Sequence, residues 1–143
     1  MNNLLPIFIN LEDSPCLVVG GGKIALQKIM QLLDSKASVT VVAPEIDELI
    51  KVQPVKLLNR CYKTKDIDKK KLIIAATNNK EINQKIYKDS QRRGIPVNVV
   101  DQSDYCSFYM GSVYQDGDLK VAISTNGKCP SFGMFIRDHI KNI

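Results

Sequence analysis

The stretch that most constrains this chain is Cys16-Leu17-Val18-Val19-Gly20-Gly21-Gly22 and the change of periodicity that follows it. Four apolar residues closed by three glycines fit a short strand buried on both faces. From Lys23 to Asp34 the apolar residues Ala25, Ile29, Leu32 and Leu33 fall on one face of a helix. Strand, glycine turn and helix together spell G-x-G-x-x-A. Gly20 admits the tight turn, Gly22 lets the backbone approach a pyrophosphate, and Ala25 lets the helix pack close to the strand. The pyrophosphate is expected at Gly20, Gly21, Gly22, Lys23 and Ile24, where free amides and the helix dipole favour an anion. The plainer reading, a tight turn that binds nothing, stays open on the glycines alone; the alternation that follows favours a dinucleotide.

Val39–Ala43 reads as a second strand stopped by Pro44, Ile46–Val52 as a short helix, Val55–Tyr62 as a third strand and Leu72–Ala76 as a fourth. The next helix has Asn78 as its cap with Glu81 at capping-box spacing, Ile82 and Ile86 on one face, Arg92 and Arg93 in the last turn, and Gly94 and Pro96 as its stop. Val97–Val100 is a fifth strand closed by Asp101. The charged run Lys63–Lys71 reads as a solvated loop. After Asp101 the pattern changes to a hairpin, Met110–Gln115 and Leu119–Ser124 around Asp116-Gly117-Asp118. Pro130 then opens a helix with Phe132, Ile136 and Ile140 on one face. The expected fold is α/β: a Rossmann-like parallel sheet forming an NAD-binding domain over 1–109, then a C-terminal hairpin-plus-helix dimerisation segment over 110–143. A hairpin and one helix cannot enclose a core of their own, so this segment is expected to pair with a second subunit in a homodimer.

Composition narrows the function. The 143 residues, 44% apolar and 24% charged, describe a globular chain. No apolar run is long enough to span a membrane, and no basic-then-apolar leader opens the sequence. Four cysteines without a C-x-x-C pair, and one histidine, offer no metal set; reduced thiols and a cytoplasmic location are expected. Cys16 and Cys61 lie in apolar or strand-like runs. A net charge of +5 without a nucleic-acid module argues against nucleic acid as a partner. The second strand ends Val41-Val42-Ala43-Pro44 and lacks the acid that usually holds a ribose, which counts against a methyltransferase. The ribose must be met by backbone at Pro44 or by Glu45. No arginine stands nearby in the sequence, so NAD is preferred to NADP.

Leu5-Pro6-Ile7-Phe8, the glycine segment, Val39-Thr40-Val41-Val42-Ala43-Pro44-Glu45, Ala75-Ala76-Thr77-Asn78, Val97-Asn98-Val99-Val100-Asp101 and Val121–Pro130 come in the order and spacing of one family. They resemble the precorrin-2 dehydrogenases, including the N-terminal part of bifunctional siroheme synthases. The resemblance implies NAD-dependent dehydrogenation of precorrin-2 to sirohydrochlorin in siroheme or cobalamin biosynthesis. In some members it implies Fe²⁺ insertion as well. It adds Thr77 to the cofactor-binding residues, makes Asp101 the catalytic aspartate, and matches Ser124, Thr125, Asn126 and Gly127 to a segment that contacts substrate or is modified in some relatives. It also implies a homodimer through the tail from about Gly111. Two departures stand out: Asn126-Gly127 replaces a common Gly-Gly, and Cys129-Pro130 replaces Ser-Pro. Members of the family continue into a further helical segment that helps cover substrate.

From the residues alone, Asp101 ends a parallel strand, where ligands of such sheets bind. A turn or cap is its other reading, because Asp101-Gln102-Ser103-Asp104 is turn-like. An NAD-sensing regulatory module without catalysis is the alternative function, although such modules usually keep the missing strand-end acid. A metal or tetrapyrrole carrier without a redox role is a third.

Overall fold

Strand β1 (Pro15–Val19) takes the centre of a sheet because it has nothing polar to present. In the computed structural model, which describes residues 1–143, Cys16, Leu17 and Val18 are fully buried and Val19 nearly so. Strands β2 (Ser38–Val42) and β4 (Leu72–Ala75) flank it, and β3 (Lys56–Leu58) and β5 (Val97–Val99) form the edges. The order is β3-β2-β1-β4-β5 and every pair is parallel. Val19 stands opposite Val42 and Ala75, and Ala75 opposite Val99, so the strands finish level along one edge. The strand order reverses between β1 and β4, the point at which open α/β sheets bind ligands. The Rossmann-like parallel sheet expected from the alternation is therefore present.

Helix α1 (Lys23–Asp34) has the expected bounds and buries Ala25, Ile29 and Leu32. Helix α2 is a single turn, Glu48–Lys51, shorter than the expected 46–52 because Asp47 caps it by accepting the Leu49 amide at 2.8 Å. Helix α3 (Lys80–Arg93) starts one residue later than the capping-box spacing suggests. Asn79, not Asn78, is its cap, accepting from the amides of Glu81 (3.0 Å) and Ile82 (3.1 Å). The two asparagines are equal in propensity, and tertiary bonds choose between them. Thr77 Oγ1 accepts the Asn79 amide, and Asn83 Nδ2 donates to the Thr77 carbonyl, which ties the loop to the first helical turn.

The charged run between β3 and β4 is solvated only in part: Lys63, Lys65, Asp68, Lys69 and Lys71 are exposed, but Asp66 and Ile67 turn inward. Residues Thr64–Ile67 form a 3-10 turn whose Ile67 is fully buried in the core beside Leu17, Ile73 and Ile86. Asp66 is buried with it and is held by Arg60 and by the Lys63 amide. The third strand is correspondingly short, and Cys61 is exposed rather than part of an apolar strand. A second buried carboxylate, Asp89 on α3, accepts from Tyr62 Oη at 2.8 Å and Lys85 Nζ at 3.2 Å, and pairs with Arg92. All four cysteines are free, and burial pushes the Cys16 thiol up to about 11 against the pull of Lys71 and Lys70.

The chain divides into two compact units, Phe8–Ser107 and Met1–Ile7 with Phe108–Ile143. The second contains an antiparallel hairpin, β6 (Ser112–Asp116) and β7 (Leu119–Ile123), followed by α4 (Pro130–Ile140) with Pro130 at its start. This is the expected hairpin and helix. Helix α4 buries Gly133 against Ser112 and Ile123 and half-buries Ile136 and Ile140. Phe132, expected on that face, is 52% exposed and Phe135 is 66% exposed; their rings stack at 6.4 Å.

Burial raises the carboxyl pKa of Asp66 and of Asp89, but in each case hydrogen bonds and neighbouring cations outweigh it and hold the group below its ordinary value. For Asp66 these are Arg60, the Lys63 amide and Lys65; for Asp89 they are Tyr62, Lys85 and Thr64. A depressed folded pKa contributes stability above the unfolded value, near 3.8, that is lost as pH falls through the folded value. Urea unfolding midpoints should therefore hold roughly constant from about pH 7 to 5 and decline below about pH 4. The decline should be shallower in Asp89→Asn, whose site no longer titrates.

Candidate functional site

At the end of β1 the chain makes two backbone contacts that leave no room for a side chain. Gly20 has φ +134° and its amide donates to the Val42 carbonyl at 2.9 Å; a Cβ there would run into the Ala76 carbonyl oxygen. A Cβ on Gly21 would run into the Glu45 carbonyl oxygen, and the Asp47 amide donates to Gly21 O at 2.8 Å. Gly22 is different. It caps α1 with φ −99°, makes no side-chain cap bond, and a Cβ on it would meet no protein atom within 4 Å. The fold therefore needs Gly20 and Gly21, whereas the space beside Gly22 is open. No acidic residue occupies the first turn of α1, so its leading amides and dipole are available to an anion.

These glycines form the floor of a cavity of about 1400 Å³ that runs along the carboxyl edge of the sheet. Gly20, Gly21, Gly22, Lys23, Ile24, Pro44, Glu45, Thr77 and Asp101 all line it. It exceeds the roughly 300–1,000 Å³ of ordinary small-molecule clefts, so it has room for a ligand as large as a dinucleotide. The donors present suit a dinucleotide, with an uncapped helix start and an open cradle at Gly22 for the pyrophosphate. Ser124, Thr125, Asn126 and Gly127 form the turn between β7 and α4 in the other unit. Asn126 and Gly127 have φ of 60° and 71°. Asparagine tolerates that left-handed conformation better than most residues. Among the cavity residues, the Thr77 hydroxyl is committed, donating to Asn83 Oδ1 at 2.6 Å, and acts to position the loop.

Asp101 is exposed at the end of β5, also left-handed with φ 61°. The turn is held by Val100 N to Ala75 O at 3.0 Å and Gln102 N to Val99 O at 3.2 Å. Cys106 backs it, its Sγ accepting the Val99 amide at 3.2 Å. Lys28, half-buried on α1, was not marked by the sequence. Burial lowers its pKa, opposed by the negative charge of Asp101.

The ribose end also holds residues that spacing does not reveal. Asn59 Nδ2 donates to the carbonyls of Ala43 (3.1 Å) and Pro44 (2.8 Å), so part of the backbone expected to meet a ribose is already engaged. Arg60 follows Asn59 but does not line the cavity; its guanidinium is held by Asp66 and the Cys61 carbonyl. The signal was weak because residues 43 and 59 meet only through β2–β3 pairing.

The difference between the glycines predicts a divergence. Gly22→Val should fold with near wild-type stability and bind NAD at least tenfold more weakly, because its side chain enters the pyrophosphate space. Gly20→Ala should instead lower the thermal midpoint, since the Ala76 backbone must move. Circular dichroism and calorimetric titration with NAD measure both.

A family model described as "Putative NAD(P)-binding" matches residues 7–112, and one described as sirohaem biosynthesis protein central matches residues 116–143. A siroheme synthase of Vesicomyosocius okutanii is 38% identical over 98% of this chain, which covers 31% of that relative. A siroheme synthase of Psychromonas ingrahamii is 41% identical over 97% of the chain, covering 30% of the relative. The chain thus spans about a third of the length of these curated relatives. A solved structure titled SirC, precorrin-2 dehydrogenase, superposes with TM-score 0.81 at 24% identity, covering 97% of this chain and 70% of that one, which establishes a shared fold. The resemblance to the N-terminal part of siroheme synthases holds along nearly the whole sequence. With its glycine turn, its open anion cradle and the match over residues 7–112, the chain belongs to the NAD(P)-binding family that this model describes.

Proposed function

We propose that this chain dehydrogenates precorrin-2 to sirohydrochlorin with NAD as the oxidant. The observation that carries the reading is that Asp101 and the three glycines line one cavity at the point where the strand order reverses. The names of the siroheme synthase relatives supply the substrate class. A nicotinamide dinucleotide, when bound, supplies the acceptor for a hydride.

The residues of the chain do the remaining work. The amides of Gly22, Lys23 and Ile24 hold the pyrophosphate, and Pro44, Glu45 and Thr77 frame the nucleotide. The Asp101 carboxylate takes the proton that the substrate releases as it loses hydride, so two electrons and two hydrogens leave in balance. Ser124, Thr125, Asn126 and Gly127 are proposed substrate contacts on the strength of the family resemblance. Iron insertion into the product is a separate activity to be scored alongside. A regulatory module that only senses NAD would have no use for a carboxylate at 101 in the cavity.

Asp101→Asn tests the base. Asparagine keeps the size and tolerates φ near +60°, so fold and NAD affinity should persist. Single-turnover oxidation of precorrin-2 at saturating NAD should fall by roughly 10²- to 10⁴-fold. Turnover within about threefold of wild type would place the base elsewhere or pass the proton directly to water.

We also propose a homodimer through the second unit, whose helix α4 leaves Phe132, Met134 and Phe135 exposed. Phe132→Asp with Phe135→Asp should halve the mass measured by light scattering at micromolar concentration. A monomeric wild type would defeat the proposal.

A further inference from the structure

Strand β5 pairs with β4 on one side only, and its other edge is closed by two side chains rather than by a further strand. After a 3-10 turn at Ser103–Tyr105 the chain returns along β5. Ser107 Oγ accepts the Val97 amide at 2.8 Å, and Ser107 N donates to the Val97 carbonyl at 2.9 Å. One step nearer the cavity, Cys106 does the same for Val99. Its Sγ accepts the Val99 amide at 3.2 Å and lies 3.2 Å from the Val99 carbonyl and 3.3 Å from that of Gln102, so its single proton is shared between two acceptors.

Val99 and Gln102 are the two ends of the turn that carries Asp101. Gln102 N donates to Val99 O at 3.2 Å, and the corner between them, Val100 and Asp101, lines the cavity. That corner is strained. Asp101 has φ 61°, which costs free energy for any residue with a Cβ, even where aspartate meets it more cheaply than most. A strained turn relaxes unless its ends are held, and one sulfur touches both ends. Cys106 is half-buried, and its neighbour Tyr105 packs on Tyr87 of α3 with ring centroids 4.9 Å apart, so the clip is fastened to the helix as well as to the sheet.

We infer that Cys106 is a positioning residue for the Asp101 carboxylate, its thiol fixing both ends of the turn that presents that carboxylate to the cavity. The inference rests on the reading of Asp101 as the base of the dehydrogenation. The competing account is that Cys106 only closes an edge strand. Ser107 closes the same edge, but its bonds end at Val97, four residues short of Asp101, and it therefore separates the two accounts.

Oxidation of precorrin-2 by NAD, followed in steady state and in single turnovers, reads the difference. Cys106→Ala should lower kcat about tenfold and leave the KM for precorrin-2 and the NAD affinity within about twofold of wild type. Ser107→Ala should lower the thermal midpoint at least as far, yet hold kcat within about twofold. Cys106→Ser keeps a donor and an acceptor and should recover most of the lost rate. Adding Cys106→Ala to Asp101→Asn should cost nothing further, because the thiol acts through a carboxylate that is already gone.

The inference is overturned by a kcat within about twofold of wild type in Cys106→Ala, by equal losses in Cys106→Ala and Ser107→Ala, or by a further tenfold loss in the double variant. If circular dichroism shows Cys106→Ala unfolded, Cys106→Val takes its place with the same expected losses. Valine keeps the volume, suits the extended backbone at 106 (φ −116°, ψ 124°) and has no proton to give. Turnover of Asp101→Asn within about threefold of wild type would instead remove the assignment of the base, and the inference with it.

Discussion

The rest of this structure depends on a backbone contact that admits no side chain. At the end of the central strand, Gly20 lies against the carbonyl of Ala76 and Gly21 against that of Glu45. Through those contacts the loops after β2 and β4 are held close to the turn, and Ala76 N donates to Val19 O at 2.7 Å. The chain then enters α1 with no capping side chain. One set of steric demands thus produces both the narrow floor of the cavity and the uncapped helix start that suits a pyrophosphate. Gly22, which the fold does not require, marks where the ligand rather than the protein sets the limit.

A second arrangement shapes the far wall. The segment 59–68 is rich in charge, yet Asp66 and Ile67 turn inward, and two buried carboxylates, Asp66 and Asp89, anchor it. Asp66 gathers Arg60 and the Lys63 amide; Asp89 gathers Tyr62, Lys85 and Arg92. Buried ion pairs are weak evidence of net stability, because desolvation offsets much of the attraction. Their effect is positional: Asp89 on α3 holds Tyr62, which lines the cavity, and Asp66 holds Arg60.

Backbone conformation also bears on the chemistry. Asp101 and Asn126 both adopt φ near +60°, a conformation that aspartate and asparagine reach at lower cost than most residues. At 101 this turns the chain sharply just beyond β5, in a turn held by Val100 N to Ala75 O and Gln102 N to Val99 O. At 126 asparagine meets the same left-handed requirement in the turn between β7 and α4.

Much was legible without coordinates. The apolar run before the glycines, the helical face Ala25, Ile29 and Leu32, and the β-branched run of β2 announce strand, turn, helix and strand, because burial imposes a period on sequence. From those elements follow the parallel sheet, the placement of the glycines and the position of Asp101. The capping residue of α3, the burial of Asp66 and Ile67 and the bond of Asn59 to the end of β2 were not legible. They depend on particular pairings, as in Asn59 with Ala43, 16 residues apart, and Tyr62 with Asp89, 27 apart, and periodicity carries no record of such pairings. The sequence by itself determined the elements and the cradle, since strand burial and glycine geometry are local. Tertiary structure alone decided which charges are free and which are held, since that depends on neighbours that only folding brings together.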